Sequence, residues 1–191
     1  VIVMVTHYVD IRLLPDPEFS QAYLLGALYA KLHRALVGLD TGGIGVSFPQ
    51  YRLQPRTLGH VMRLHGGEAA LSALLSTDWL RGMRDHVEVT AVSLVPSGVQ
   101  HRRLVRRQFK TSVDRLRQRR MRRKGETYEE AVHAIPDSVE EQPDLPYVQL
   151  RSASTGQRFC LFLALGDPQP EAVSGVFNTY GLSSTATLPW F

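Results

Sequence analysis

Apolar residues alternate through residues 4–13, where Val5, His7, Val9, Ile11 and Leu13 point one way, and this predicts a strand closed by the turn-forming Leu14-Pro15-Asp16-Pro17. The period then lengthens. Over residues 17–37, Leu24, Leu25, Leu28, Leu32 and Leu36 recur at three and four, which predicts an amphipathic helix. Residues 43–48 and 60–65 read as two further strands joined by a polar loop holding Pro49 and Pro55. An Ala/Leu-rich helix begins at Glu68 and continues from Thr77, and residues 87–95 form a fourth strand. The order is β-α-β-β-α-β, the ferredoxin-like arrangement, within an α+β protein.

A short Pro96-Ser97-Gly98 joint divides the chain into two expected domains, 1–98 and 99–191, the second of α/β type around an arginine-rich helix. Beyond the joint the pattern gives a strand at 101–110, helices at 111–125 and 128–135, an acidic Pro-containing loop, and strands at 147–152 and 157–165. Thr111 and Gly125 suit the caps of the first of these helices. That helix is not patterned for burial. Arg115, Arg119, Arg122 and Arg123 share one side, and Arg117, Arg120 and Lys124 crowd the other. Seven cations in ten residues, with no acidic residue among them, repel one another, so an external anion rather than a packed face is expected to stabilise the helix. Polyphosphate suits Arg, whose forked guanidinium matches phosphate oxygens.

Composition sharpens this picture. The 191 residues are 43% hydrophobic with a net charge of +4, so the basicity is concentrated in one place. One cysteine, Cys160, excludes a disulfide framework and any multi-cysteine zinc site, and its apolar surroundings suggest a buried thiol. No apolar run is long enough to span a membrane, and a cytoplasmic protein starting near Met4 is the expectation.

Arg106 and Gln108, two apart on the expected strand, would leave the same face, and Arg to guanine with Gln to adenine are the usual base-edge contacts. On spacing alone an ordinary exposed strand face is the commoner reading. His33 borders the apolar stripe of the first helix, where a histidine is ordinarily a surface residue unless a hydroxyl and a phosphate are at hand. Ser152, at the end of an alternating strand, is a candidate hydroxyl. The seven histidines are scattered, with no metal-binding spacing, so no metal or cofactor is expected. RNA cleavage without metal uses the RNA's own 2′-hydroxyl as nucleophile and a protein base to take its proton.

Seven stretches carry a family resemblance: YVDIRLLPDPEF, KLHRALV, IGVSFP, RLRQRRMRR, LPYVQLRSASTGQRF, TYGLS and the final PWF. Over nearly its full length the chain resembles the type I-F CRISPR repeat-processing endoribonucleases, the crRNA maturation nucleases of the Csy complex. The resemblance implies that His33 is the general base, that Ser152 holds the attacking ribose, and that Tyr180 orients His33. It further implies that Ser154 and Thr155 seat the backbone at the cut, and that Phe159 stacks on the pair closing the stem. Arg106 and Gln108 would read purines low in the stem, while the helix bearing Arg115, Arg119, Arg122 and Arg123 enters the groove of the repeat hairpin. The implied partners are the CRISPR repeat RNA or crRNA and the other subunits of the type I-F surveillance complex. Two alternatives stand beside this: an inactive RNA-hairpin-binding structural subunit, and a basic DNA-binding protein, though no helix-turn-helix or zipper accompanies the arginine helix.

Overall fold

The computed structural model describes residues 4–109, 112–141, 143–152 and 155–191, and in it the chain forms two compact units. The larger comprises residues 1–106 and 145–191, and the smaller residues 107–144. Helices and antiparallel sheets occur together, as an α+β chain requires.

In the larger unit β1 (His7–Leu13) buries Val9, Ile11 and Leu13, the face that alternation marks. It is followed by α1 (Gln21–Leu39), whose N-cap Ser20 accepts a hydrogen bond from the Tyr23 N–H. The strands β2 (Gly45–Ser47), β5 (Val61–Gly66) and β6 (Val87–Val89) complete a sheet of order β2-β5-β1-β6, every pair antiparallel. Between β2 and β5 the expected loop contains a small exposed hairpin, β3 (Arg52–Leu53) with β4 (Arg56–Thr57).

Two expectations are corrected here. The helix α2 (Glu68–Ser76) stops with Thr77 as its C-cap rather than continuing, because the Thr77 N–H and hydroxyl both return to the Leu74 carbonyl. The fourth strand is split into β6 and β7 (Ser93–Leu94), which both pair with β1. Ile11 faces Val89 and Tyr8 faces Ser93, so residues 90–92 lie opposite only Val9 and Asp10. One extra residue bulges there, held by exchange between Asp10 and Thr90.

A second sheet of order β10-β11-β9 is built from β9 (Leu104–Arg107), β10 (Tyr147–Arg151) and β11 (Arg158–Leu165). It packs on α1 through β10. The approach is close at Gly26, where a Cβ would lie 2.5 Å from the Gln149 carbonyl oxygen. Covered on both sides, α1 buries Leu24, Leu25, Leu28, Tyr29, Leu32 and Leu36. The expected strand at 101–110 is two strands, since β8 (Gln100–Arg102) leaves that sheet to pair with β12 (Leu188–Trp190). The C-terminal residue is tied to the first sheet by Arg63. Its guanidinium makes a two-pronged ion pair with buried Asp10 (2.7 and 3.0 Å), donates to the Phe191 main-chain oxygen, and lies against the Tyr8 and Phe191 rings.

The smaller unit holds α3 (Val113–Lys124) and α4 (Tyr128–Ala134). Ser112 caps α3, its hydroxyl accepting from the Arg115 N–H, and Thr111 lies outside the described residues. Gly125 closes the helix with φ +69°, in the left-handed region. The expectation of a helix without a packed face is corrected. Arg117 is 5% exposed; its Nε donates to the Ile135 carbonyl at the end of α4 and its Nη2 to Asp137, and Asp114 lies nearby. Arg120 makes a two-pronged pair with Glu126 at 2.6 and 3.0 Å. The anions come from Asp114 in the first turn of the helix and from Glu126 and Asp137 beyond it, where a reading confined to residues 115–124 does not look.

Candidate active site and nucleic-acid interface

His33 stands half-buried on α1, at a position where the helix meets a turn from the far end of the sequence. The turn spans residues 178–182 and is built by Asn178, whose side-chain oxygen accepts from the Tyr180 and Leu182 N–H groups. Gly181, at φ +69°, makes this possible, because a Cβ there would run into Val46, whose N–H donates to the Gly181 carbonyl. The turn is thus docked on β2.

Two consecutive carbonyls of that turn face α1. The Thr179 oxygen lies 2.9 Å from His33 Nδ1, and the Tyr180 oxygen lies 2.6 Å from the Tyr29 hydroxyl. The Tyr180 ring stacks on the imidazole with centroids 3.9 Å apart and planes 3° from parallel. A carbonyl only accepts, so Nδ1 carries the hydrogen, and in the neutral ring the lone pair sits on Nε2. Among the described residues Nε2 makes no hydrogen bond. An imidazole in this state can take a proton from a hydroxyl brought to Nε2.

Ser152 follows directly on β10, the strand that packs on α1. Its N–H donates to the Gln157 carbonyl and its Oγ accepts from the Thr155 N–H at 3.3 Å. Thr155 is exposed, and Ser154 lies outside the described residues. Arg106 on β9 is exposed, with its guanidinium 5.8 Å from the centre of the half-buried Phe159 ring on β11. Gln108 lies one residue past the end of β9 and is exposed, so the same-face argument from strand spacing does not apply to it. The half-buried Cys160 thiol is pushed up by desolvation and is a poor nucleophile.

On α3 the residues fall into two sets. Arg117 and Arg120 are neutralised within the smaller unit, whereas Arg115, Arg119, Arg122, Arg123 and Lys124 are exposed and form no ion pair among the described residues. The first set ties the helix to its own unit, and the second faces solvent. Among the described residues no three His, Cys, Asp or Glu side chains converge as a metal site would need, and no helix is long and apolar enough to cross a membrane.

The structure brings His33 together with Tyr180, and Arg106 together with Phe159. Sequence reasoning missed Tyr29, Thr179 and Asn178 as parts of the site. Tyr29 carried a signal, standing four residues before His33 on the same helix. Thr179 acts through its backbone and carried none.

These features define an α+β protein with an imidazole whose Nδ1 is held on a backbone carbonyl and a helix that carries, beside two paired arginines, exposed ones without an ion pair among the described residues. Residues 8–191 match the family described as CRISPR-associated protein (Cas_Csy4). The chain is 46% identical over 185 residues to the "CRISPR-associated endonuclease Cas6/Csy4" of Pseudomonas aeruginosa (strain UCBPP-PA14), covering 97% of this chain and 99% of that one. It is 43% identical, with the same coverage, to the protein of that name from Escherichia coli (strain UTI89 / UPEC). The chain belongs to the Csy4 family of type I-F CRISPR-associated proteins.

Proposed function

We propose that this protein is a metal-independent endoribonuclease that binds the CRISPR repeat hairpin and cuts pre-crRNA at the base of the stem. The observation that carries the reading is the hydrogen bond from His33 Nδ1 to the Thr179 carbonyl, which leaves the Nε2 lone pair as the base. His33 removes the proton of the 2′-hydroxyl before the cut, and the 2′-oxygen attacks the adjacent phosphorus. The P–O5′ bond breaks with its electron pair going to the 5′-oxygen, which leaves as a hydroxyl on gaining a proton. The other product is a 2′,3′-cyclic phosphate, or the 3′-phosphate after hydrolysis. Ser152 holds the ribose, Tyr180 keeps the imidazole in plane, and Ser154 and Thr155 seat the strand.

Hairpin recognition falls to the exposed cations Arg115, Arg119, Arg122 and Arg123, with Arg106 and Gln108 reading purines and Phe159 stacking on the closing pair. The relatives' designation as CRISPR-associated endonucleases supports the activity. The strand order β2-β5-β1-β6 with all pairs antiparallel supports a ferredoxin-like N-terminal domain over 1–98, with the hairpin-binding residues in 99–191. The protein then stays on the crRNA 3′ hairpin as a subunit of the cytoplasmic type I-F surveillance complex, so turnover is slow.

The test is incubation in EDTA with the repeat RNA of its own locus and with a copy carrying 2′-deoxy at the nucleotide before the cut. Cleavage of the unmodified RNA alone supports 2′-hydroxyl attack. Tight binding with cleavage of neither makes the protein a structural hairpin cap. Preference for duplex DNA over the hairpin at fixed salt would reject the RNA reading altogether.

A further inference from the structure

Tyr29 lies one helical turn before His33 on the same flank of α1, and the two side chains grip successive carbonyls of one peptide turn. Tyr29 is fully buried, and burial, with a smaller contribution from the neighbouring Tyr180 phenol, pushes its hydroxyl far above the ordinary tyrosine value. It is therefore a permanent donor at working pH. Its ring packs edge-on against Phe48 and tilted against Tyr180, within the main core.

We propose that Tyr29 is a positioning residue for cleavage: its hydroxyl, by holding the Tyr180 carbonyl, fixes the turn so that the Thr179 carbonyl keeps His33 protonated on Nδ1. This rests on the reading of His33 as the base. The two carbonyls belong to adjacent residues, so a turn free to rotate about either peptide would swing Thr179 away from Nδ1. Without that acceptor the neutral imidazole divides between its two tautomers, and the molecules protonated on Nε2 have no lone pair for the 2′-hydroxyl. Asn178 holds the same turn from its outer side, through the Tyr180 and Leu182 N–H groups, and is itself exposed. Beside the Val46 N–H bond to the Gly181 carbonyl, the turn's peptides are thus held by side chains from two directions, Tyr29 from the core and Asn178 from the solvent side.

The experiment compares wild type, Tyr29→Phe, Asn178→Ala and His33→Ala. Each is followed by single-turnover cleavage of the repeat hairpin at saturating protein, by hairpin affinity, by thermal melting, and by long-range 1H–15N correlation of histidine-labelled protein above the imidazole titration. The His33 signals are assigned by their loss in His33→Ala. The expected result is Nδ1–H at His33 in wild type and a mixture of tautomers in Tyr29→Phe. The cleavage rate then falls roughly tenfold, the effect of one lost hydrogen bond, and hairpin affinity is unchanged. Asn178→Ala reproduces the tautomer change without touching the core, so the test survives if Tyr29→Phe folds poorly. A slower Tyr29→Phe that keeps wild-type tautomer signals, or one with an unchanged rate, overturns the proposal while the base reading stands. Full cleavage by His33→Ala overturns both.

Discussion

At the scale of single residues, the site is an imidazole whose two nitrogens have been given different tasks by their surroundings. His33 Nδ1 is spent on the Thr179 carbonyl and its ring is held flat by Tyr180, and on the function proposed above the residue serves as a base and not as a binding group. The expected outcome for His33→Ala is loss of cleavage by 100-fold or more, on the order of general-base contributions, with hairpin affinity within about twofold. Binding by electrophoretic mobility shift together with single-turnover rates checks this, and a parallel loss of both would move His33 into the binding surface. Spacing alone showed His33 as a helix residue and only the family resemblance implied a base, because the group that faces its Nδ1 is a backbone oxygen 146 positions away. Ser152 was likewise visible as the end of an alternating strand, and the pattern of burial along β10 agrees with that placement.

At the scale of elements, α3 shows how far a charge pattern can be read. The split between Arg115/Arg119/Arg122/Arg123 and Arg117/Arg120 follows from 100° per residue, but which side is satisfied depended on Glu126 and Asp137, outside the helix. This division has a measurable consequence. Arg119→Ala and Arg122→Ala should each reduce the slope of log affinity against log salt by roughly 0.7 to 0.9. Arg120→Gln should leave the slope nearly unchanged, because a guanidinium already paired with Glu126 releases no counterion from RNA. Equal slopes for Arg119→Ala and Arg120→Gln would refute the division. The packing of α1 on β10 gives a second prediction. Gly26→Ala places a methyl 2.5 Å from the Gln149 oxygen and should destabilise the larger unit by about 1 to 3 kcal/mol. Because Ser152 follows β10, cleavage should fall further than hairpin binding. Denaturant midpoints and single-turnover rates decide it, and a neutral Gly26→Ala would mean that β10 yields easily.

At the scale of the whole molecule, the order of elements was legible, while the joins between distant ones were not. Alternation gave β1, and leucine spacing gave α1 with Leu24 through Leu36 buried as expected. The pairing of Asp10 with Arg63 is a polar couple inside a sheet, and periodicity has no means of predicting it, since each residue alone reads as a mistake in the pattern. His65 is a similar case with a thermodynamic signature. It is fully buried on β5 beside Ser47, whose Oγ is 2.7 Å from Nε2, with the Arg63 guanidinium nearby. Desolvation first and Arg63 second pull it down to about 3, so it is neutral in the folded chain. In the unfolded chain it takes up a proton near pH 6.5. The folded state therefore binds fewer protons between those values, and its stability, complete above about pH 6.5, is lost as pH falls toward 3. The loss should come to about 2 kcal/mol between pH 7 and pH 5. The carboxylates of Asp16, held low by the Glu18 and Phe19 N–H groups, and of Glu130, held low by Thr127, have the same sign but act below their ordinary values near 4. The window from pH 5 to 7 thus lies above the range in which these carboxylates act. Urea unfolding followed by Trp79 and Trp190 fluorescence should show this slope in wild type and a shallower one in His65→Gln, which keeps a partner for Ser47 without titrating. An unchanged slope in His65→Gln would assign the acid sensitivity to another group.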